Sequence, residues 1–191
     1  MRKATAKRTT NETTVSVTIN LDAPETPRVE TGIGFFDHML IAMATHAGIG
    51  LSIKVKGDLE VDGHHTVEDT GIVLGNALAK ALGDKAGINR YGFFMLPMDE
   101  SHAISRLDVS GRAFLVYKAF FANERIGDYE TCLTREFFRA LCTNAGFTLH
   151  ISTNKGGNDH HKTEAIFKSF GHALRMAIAP RDGILSTKGV L

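Results

Sequence analysis

The chain of 191 residues contains no tryptophan, only two cysteines, four prolines and almost no net charge. The missing tryptophan excludes nothing about the fold. The scarcity of cysteine excludes a disulfide scaffold. Cys132 and Cys142 are expected on one helix, where ten residues span about 15 Å, too far for a bridge, so both read as reduced packing residues. A net charge of +1 excludes a general attraction to nucleic acid or anionic membrane, and leaves anion binding to local clusters. No apolar run approaches the roughly 18 residues of a membrane span. The basic opening, Met1-Arg2-Lys3-Ala4-Thr5, has no apolar leader core. The expectation is a soluble, cytoplasmic protein with neither nucleic acid nor membrane as partner. Against these absences stand 43% hydrophobic and 23% charged residues of mixed sign, enough for a real core. Nine histidines are many for this length, and four of them form two adjacent pairs.

Periodicity shows an order of elements that repeats. Val15, Val17, Ile19 and Leu21 alternate with polar residues, as in a strand with one buried face. A proline-bearing loop over 22–27 ends it. Phe36, Met39, Leu40 and Met43 have helical spacing over 35–47, with Gly48 as a C-terminal stop. Leu51, Ile53 and Val55 alternate again; 57–63 reads as a turn or short edge strand, and a second helix is predicted over 64–82. The second half gives strands near 103–109 and 113–121, a helix over 131–145, a strand at Leu149 and Ile151, and an amphipathic helix over 159–178. Gly48-Ile-Gly-Leu-Ser-Ile matches Gly146-Phe-Thr-Leu-His-Ile, and His64-His65-x-x-Glu68 matches His160-His161-x-x-Glu164. The offsets are 98 and 96 residues, so one loop has lost two residues. The fold class is α+β: two duplicated halves of β-α-β-α type, 1–92 and 93–191, packed into one compact domain.

The repeated motif points to metal. Positions i and i+4 of a helix share a face, whereas adjacent positions diverge by about 100°. One His of each pair therefore shares an ion with the Glu while the other reaches elsewhere. Imidazole and carboxylate together suit Mn, Fe or Zn. Both pairs follow capping residues, Asp62-Gly63 and Asn158-Asp159, and the positive helix end is expected to keep the rings neutral. A single pair would read as surface or core histidine; two pairs at the same place in a repeat do not. The repeat adds His38 and its equivalent Glu136, ten residues before Gly48 and Gly146. Eight candidate ligands result: His38, His64, His65, Glu68, Glu136, His160, His161 and Glu164. Four per ion leave room for substrate or water in an octahedral shell. His46 lies on the same helix as His38, with a supporting role and a plain surface position equally open.

Asn11-Glu-Thr-Thr-Val-Ser-Val17, Thr31-Gly-Ile-Gly-Phe-Phe-Asp-His-Met-Leu40, Gly63-His-His-Thr-Val-Glu-Asp69, Gly87-Ile-Asn-Arg90 and Pro97-Met-Asp-Glu100 follow one another along the chain. Asp108-Val-Ser-Gly-Arg112, Asn158-Asp-His-His-Lys-Thr-Glu164 and Ser186-Thr-Lys-Gly-Val-Leu191 complete the series. In this order they resemble the imidazoleglycerol-phosphate dehydratases over nearly the whole chain. The resemblance implies a duplicated α+β fold, ribosomal protein S5 domain 2-like, with helices on one side of each sheet. It implies two Mn2+ per active site, with Fe or Zn as substitutes, and a homo-oligomer of 24 subunits with active sites between subunits. The implied reaction removes water from imidazoleglycerol phosphate, a small phosphorylated imidazole, to give imidazoleacetol phosphate in histidine biosynthesis.

By the same resemblance Glu12 is the acid/base group and Asp99 a weaker candidate for a helper role. Arg90, Arg112, Lys168, Ser186, Thr187 and Lys188 form the phosphate set, with paired donors from Arg and point charge from Lys. Lys168 follows Glu164 by four residues and so shares its helix face. Two positions depart from the family pattern: Glu136, where His is usual, and Ala42, where Gln is frequent. Glutamate ligates Mn, so the site is expected to persist with altered affinity. Two rival readings remain: a di-metal hydrolase of a phosphorylated small molecule, and a non-catalytic metal-binding assembly protein.

Overall fold

The computed structural model describes residues 1–187 and 189; Lys188 of the phosphate set lies outside the described residues. The first half contains β1 (Lys3–Thr9), β2 (Thr13–Asn20), β3 (Arg28–Glu30), α1 (Gly34–Ala47), β4 (Gly50–Gly57) and α2 (His64–Leu82). The second contains β5 (Tyr91–Met98), β6 (Ser101–Asp108), β7 (Phe114–Lys118), a small hairpin of β8 (Arg125–Ile126) and β9 (Tyr129–Glu130), α3 (Leu133–Ala145), β10 (Thr148–Thr153) and α4 (Asp159–Ile178). The sheets have the orders β1-β2-β4-β3 and β5-β6-β10-β7. In each, the last pair is parallel and the others antiparallel. The duplication is thus a duplication of topology: two α+β halves with the same strand order. None of the helices among the described residues is long and apolar enough to cross a membrane.

Each half has more strands than its periodicity announces. β1 turns only Ala4 and Ala6 inward, so it carries no large apolar alternation. β3 has three residues. β5 is apolar on both faces, with Tyr91, Phe93 and Met95 exposed, and so lacks a period of two. Residues 58–63 form a turn rather than an edge strand. Cys142 is buried in α3, but Cys132 stands exposed just before it and is not a packing residue; both are free thiols.

The halves interlock through their helices. α2 lies on the first sheet and α4 on the second, while α1 packs on α4 and α3 on α2. Glycine permits both crossings. A Cβ on Gly75 would stand 2.7 Å from the Leu141 carbonyl oxygen, and one on Gly171 would stand 2.5 Å from that of Met43. These glycines are repeat equivalents, 96 residues apart. The close approaches run from His38 and Glu164 to Met43 and Gly171, so α1 and α4 lie side by side in one direction, and α3 and α2 likewise. The N-terminal turns that carry the motif residues therefore meet across the halves.

Candidate metal centres

Both motif helices begin with the same device. Asp62 Oδ1 accepts the His64 amide at 2.7 Å, and Asn158 Oδ1 accepts the His160 amide at 2.8 Å. This fixes the first turn that aims each His-His pair. The members of a pair then diverge: the His64 and His65 rings stand 6.0 Å apart at 88°, and those of His160 and His161 6.1 Å apart at 80°.

His160 turns toward α1. Its Nε2 lies 3.2 Å from Glu164 Oε2, and His38 Nε2 lies 3.5 Å from the same oxygen. One ligand atom from each of the three falls within 4.8 Å of the others, the spacing of donors around one ion. Two imidazole nitrogens and one carboxylate oxygen suit a mid-row divalent metal. Phe35 packs its ring edge against His160 at 5.0 Å and holds the imidazole in place. Lys168 Nζ grips the outer oxygen, Glu164 Oε1, at 2.6 Å. Burial pushes the Glu164 carboxyl up, but Lys168 and then His38 outweigh it, and the group lies below its ordinary range.

The repeat-equivalent triad is His64, Glu68 and Glu136, whose ligand atoms do not all fall within 4.8 Å of one another; the second group among the described residues that does is Asp99, Glu100 and His161. His64 Nε2 lies 3.6 Å from Glu68 Oε2. Glu68 Oε1 and Glu136 Oε2 both accept from Arg139, each at 2.7 Å. Each triad joins the two halves: His38 of the first meets His160 and Glu164 of the second, and Glu136 of the second meets the Arg139 that holds Glu68 of the first. The eight candidates thus divide into two triads and two outward histidines, rather than one collected centre within the chain.

The outward histidines face the acidic loops of the sheets. His65 Nδ1 lies 3.0 Å from Asp58 and its Nε2 3.7 Å from Glu12, which sits in the β1–β2 hairpin. Asp58 holds the His65 pKa above its usual value, against desolvation, with help from Glu12. At His65 the hydrogen-bonded Asp58 carboxylate thus works against the expected pull of the helix end toward a neutral ring. His161 Nδ1 lies 3.1 Å from Glu100 and 3.8 Å from Asp99, in the equivalent β5–β6 hairpin. Glu100 is held at about 2 by the Asn158 amide, its own backbone amide and His161. Asp99 itself is exposed and adopts φ 50° at the two-residue turn.

The phosphate set is split. Arg90 donates through Nε and Nη2 to Asp108 at 2.7 and 3.2 Å, and through Nη1 to the Leu185 carbonyl at 2.8 Å. Arg112 reaches the same Asp108 at 3.2 Å. Arg90 and Arg112 are thus joined by one carboxylate, beside the segment of Ser186 and Thr187. Lys168 stands at the His38 triad instead. Ala42 is buried in α1 as part of the core. His46 Nδ1 lies 2.9 Å from His172 Nε2, and His172 stacks on Phe94 at 4.1 Å, so His46 belongs to the α1–α4 contact.

Reasoning from sequence missed Asp58, Glu100, Asp108 and Arg139. Arg139 had a signal, since it follows Glu136 by three positions on a helix. Glu100 adjoins Asp99 in a tight turn. Asp58 and Asp108 acquire partners only through tertiary folding.

Residues 31–174 match the family model of imidazoleglycerol-phosphate dehydratase. The chain is 53% identical to the imidazoleglycerol-phosphate dehydratase of Streptococcus sanguinis, with all of both chains covered. It is 52% identical to that of Clostridium acetobutylicum, with 98% of this chain and 97% of the relative covered. Among solved structures, the Staphylococcus aureus dehydratase superposes with a TM-score of 0.85 at 39% identity, covering 94% of this chain and 99% of the other. The Pyrococcus furiosus dehydratase, crystallised in complex with (S)-C348, gives 0.85 at 34% identity, covering 97% and 99%. The chain is an enzyme of the imidazoleglycerol-phosphate dehydratase family.

Proposed function

We propose that the chain dehydrates imidazoleglycerol phosphate to imidazoleacetol phosphate, the hydro-lyase step of histidine biosynthesis, with two Mn2+ per active site. The observation that carries this reading is the convergence of His38, His160 and Glu164 within 4.8 Å from opposite halves of a chain of this family. His64, Glu68 and Glu136 supply the second ion's donors. Fe or Zn would suit the same atoms. Divalent ions held by these residues would supply Lewis-acid stabilisation for charge developing on the imidazole ring of the substrate.

The residues of the chain do the rest. The reaction breaks the C–O bond on the carbon next to the ring and the C–H bond on the neighbouring carbon; water leaves, and the enol formed takes up a proton on the carbon next to the ring to become the ketone. Glu12 Oε1, half-exposed on its hairpin and 3.7 Å from His65, moves the proton. Asp99, on the equivalent hairpin, has a supporting role. Arg90 and Arg112 grip the phosphate with forked donors, Ser186, Thr187 and Lys188 close around it, and Lys168 links it to the His38 triad.

Three donors per triad and two histidines aimed elsewhere favour completion between copies. His65 and His161 of neighbouring subunits would supply the fourth ligands in a homo-oligomer of 24. The outer face of the second sheet, with Tyr91, Phe93, Met95 and Phe114 exposed, suits self-association.

The test is a Mn-dependent assay on imidazoleglycerol phosphate, with wild type and Glu12→Gln. Wild type should give a product that retains phosphate and absorbs in the ultraviolet. The variant should lose at least ~100-fold, the scale of general acid/base catalysis. Release of free phosphate would make the chain a hydrolase, and bound Mn without turnover would make it a binding protein. Unchanged activity in the variant would remove Glu12 from the mechanism.

A further inference from the structure

The two triads share a feature that the duplication does not explain. In each, the outer oxygen of the motif glutamate is held by a cation, and the inner oxygen is left to the histidines. Lys168 holds Glu164 Oε1 at 2.6 Å, while Oε2 faces His160 and His38. Arg139 holds Glu68 Oε1 at 2.7 Å, while Oε2 faces His64. The cations are not repeat equivalents. The position equivalent to Lys168 is Ile72, at the offset of 96, and that equivalent to Arg139 is Ile41, at the offset of 98. One cation comes from the motif helix itself and the other from the helix packed against it. Similar local geometry has been reached from different positions in the two halves.

Arg139 does more than Lys168. Its Nη2 reaches Glu68 while its Nε reaches Glu136 Oε2, also at 2.7 Å. One planar fork thus holds one oxygen from each of two carboxylates that would otherwise repel. A guanidinium suits this task because its donors are fixed in one plane, whereas an ammonium is a point charge. The His38 triad has a single carboxylate and needs only a single contact.

We infer that Arg139 is a positioning residue for the Glu136 triad: it sets Glu68 and Glu136 with one oxygen each free for a divalent ion, and so makes glutamate a workable ligand at this position. The inference rests on the proposed metal reading of the triads. It predicts that Arg139 matters to one ion and not to the other. Supporting partners of metal ligands typically contribute 10–100-fold in affinity.

The experiment is a Mn2+ titration of the metal-stripped full chain, followed by calorimetry and by the electron paramagnetic resonance of free Mn2+. Wild type, Arg139→Gln and Arg139→Lys are compared. Wild type should show two binding events per chain. Arg139→Gln should weaken one event by about 10–100-fold and leave the other unchanged; Arg139→Lys should recover part of the loss. The side chain of Arg139 is 52% exposed, so the fold should survive, and the thermal midpoint of each metal-free variant checks this. If the midpoint falls sharply, Arg139→Lys alone carries the comparison, with a smaller loss at the same single event. Tighter binding in Arg139→Gln would overturn the inference and make Arg139 a competitor of the metal. An unchanged titration, or equal losses at both events, would overturn it as well. A wild type that binds no Mn2+ would remove the metal reading, and the inference with it.

Discussion

The His38 triad and the Glu136 triad descend from one arrangement, yet they are built differently. The first has two imidazoles and one carboxylate around a shared oxygen. The second has one imidazole and two carboxylates spanned by a guanidinium. The difference extends into the helices beneath them. Under the first triad, the start of α4 is pinned by a buried ion pair, Asp159 to Lys162 at 2.6 Å, with side chains 2% and 1% exposed. Asp159 also accepts from the amides of Ala122 and Asn123, and Lys162 donates to the Phe120 carbonyl. The equivalents in α2 are Gly63 and Thr66. Duplication preserved the topology and the position of the motif residues, while the means of holding them diverged.

Breaking the ion pair should have the largest effect. Lys162→Met leaves a buried carboxylate without its charge partner and should cost about 3–5 kcal/mol in denaturant unfolding. Thr66→Val at the equivalent site should stay within about 1 kcal/mol, since the Thr66 hydroxyl oxygen has no hydrogen-bond partner to lose. Equal losses at the two sites would mean that the two helix starts are held alike.

The helix crossings come next. Gly171→Ala and Gly75→Ala each force a Cβ onto a backbone carbonyl, and overpacking of this kind costs about 1–3 kcal/mol. Gly171→Ala should weaken Mn2+ binding at the His38 triad alone, and Gly75→Ala at the Glu136 triad alone. Loss at the opposite triad would contradict the pairing of α1 with α4 and of α3 with α2.

A smaller effect concerns pH. His46 and His172 face each other only in the α1–α4 crossing; their equivalents are Asn144 and Asn76. Burial lowers both imidazoles below 6.5, helped by His172 and Lys168 for His46 and by Arg175 for His172, while Glu164 opposes the shift of His46. As pH falls through 6.5 the unfolded chain takes up these protons first, so folded stability should decline toward acid and level off below the lowered values. His65, shifted upward by Asp58, acts in the opposite sense: its contribution is present in acid and is lost as pH rises through its folded value. A double His46→Asn, His172→Asn variant should flatten the acid slope of stability against pH. An unaltered slope would place its origin elsewhere.

Much of this was legible from residue order. β2, β4, α2 and α4 follow their apolar periods, and the doubled motif with His38 pointed to His38, His160 and Glu164, whose ligand atoms converge. What was hidden has physical causes. β1 buries only alanines on an edge, and β5 is apolar on both sides, so neither has the alternation that marks a half-buried strand. The divergence of His65 and His161 from the triads follows from helix geometry. Their carboxylate partners, Asp58 and Glu100, lie in turns, and no spacing rule couples a turn to a helix face. The division of the phosphate set, with Arg90 and Arg112 on Asp108 and Lys168 on Glu164, depends on where the second sheet lies against α4.

The central claim is that two triads, each drawn from both halves, hold one divalent ion apiece. It is tested most directly by counting tightly bound Mn2+ per chain in wild type, His160→Ala and Glu68→Ala. The account predicts two, one and one, with the surviving ion at unchanged affinity in each variant. Loss of both ions from either variant, or retention of both, would contradict it.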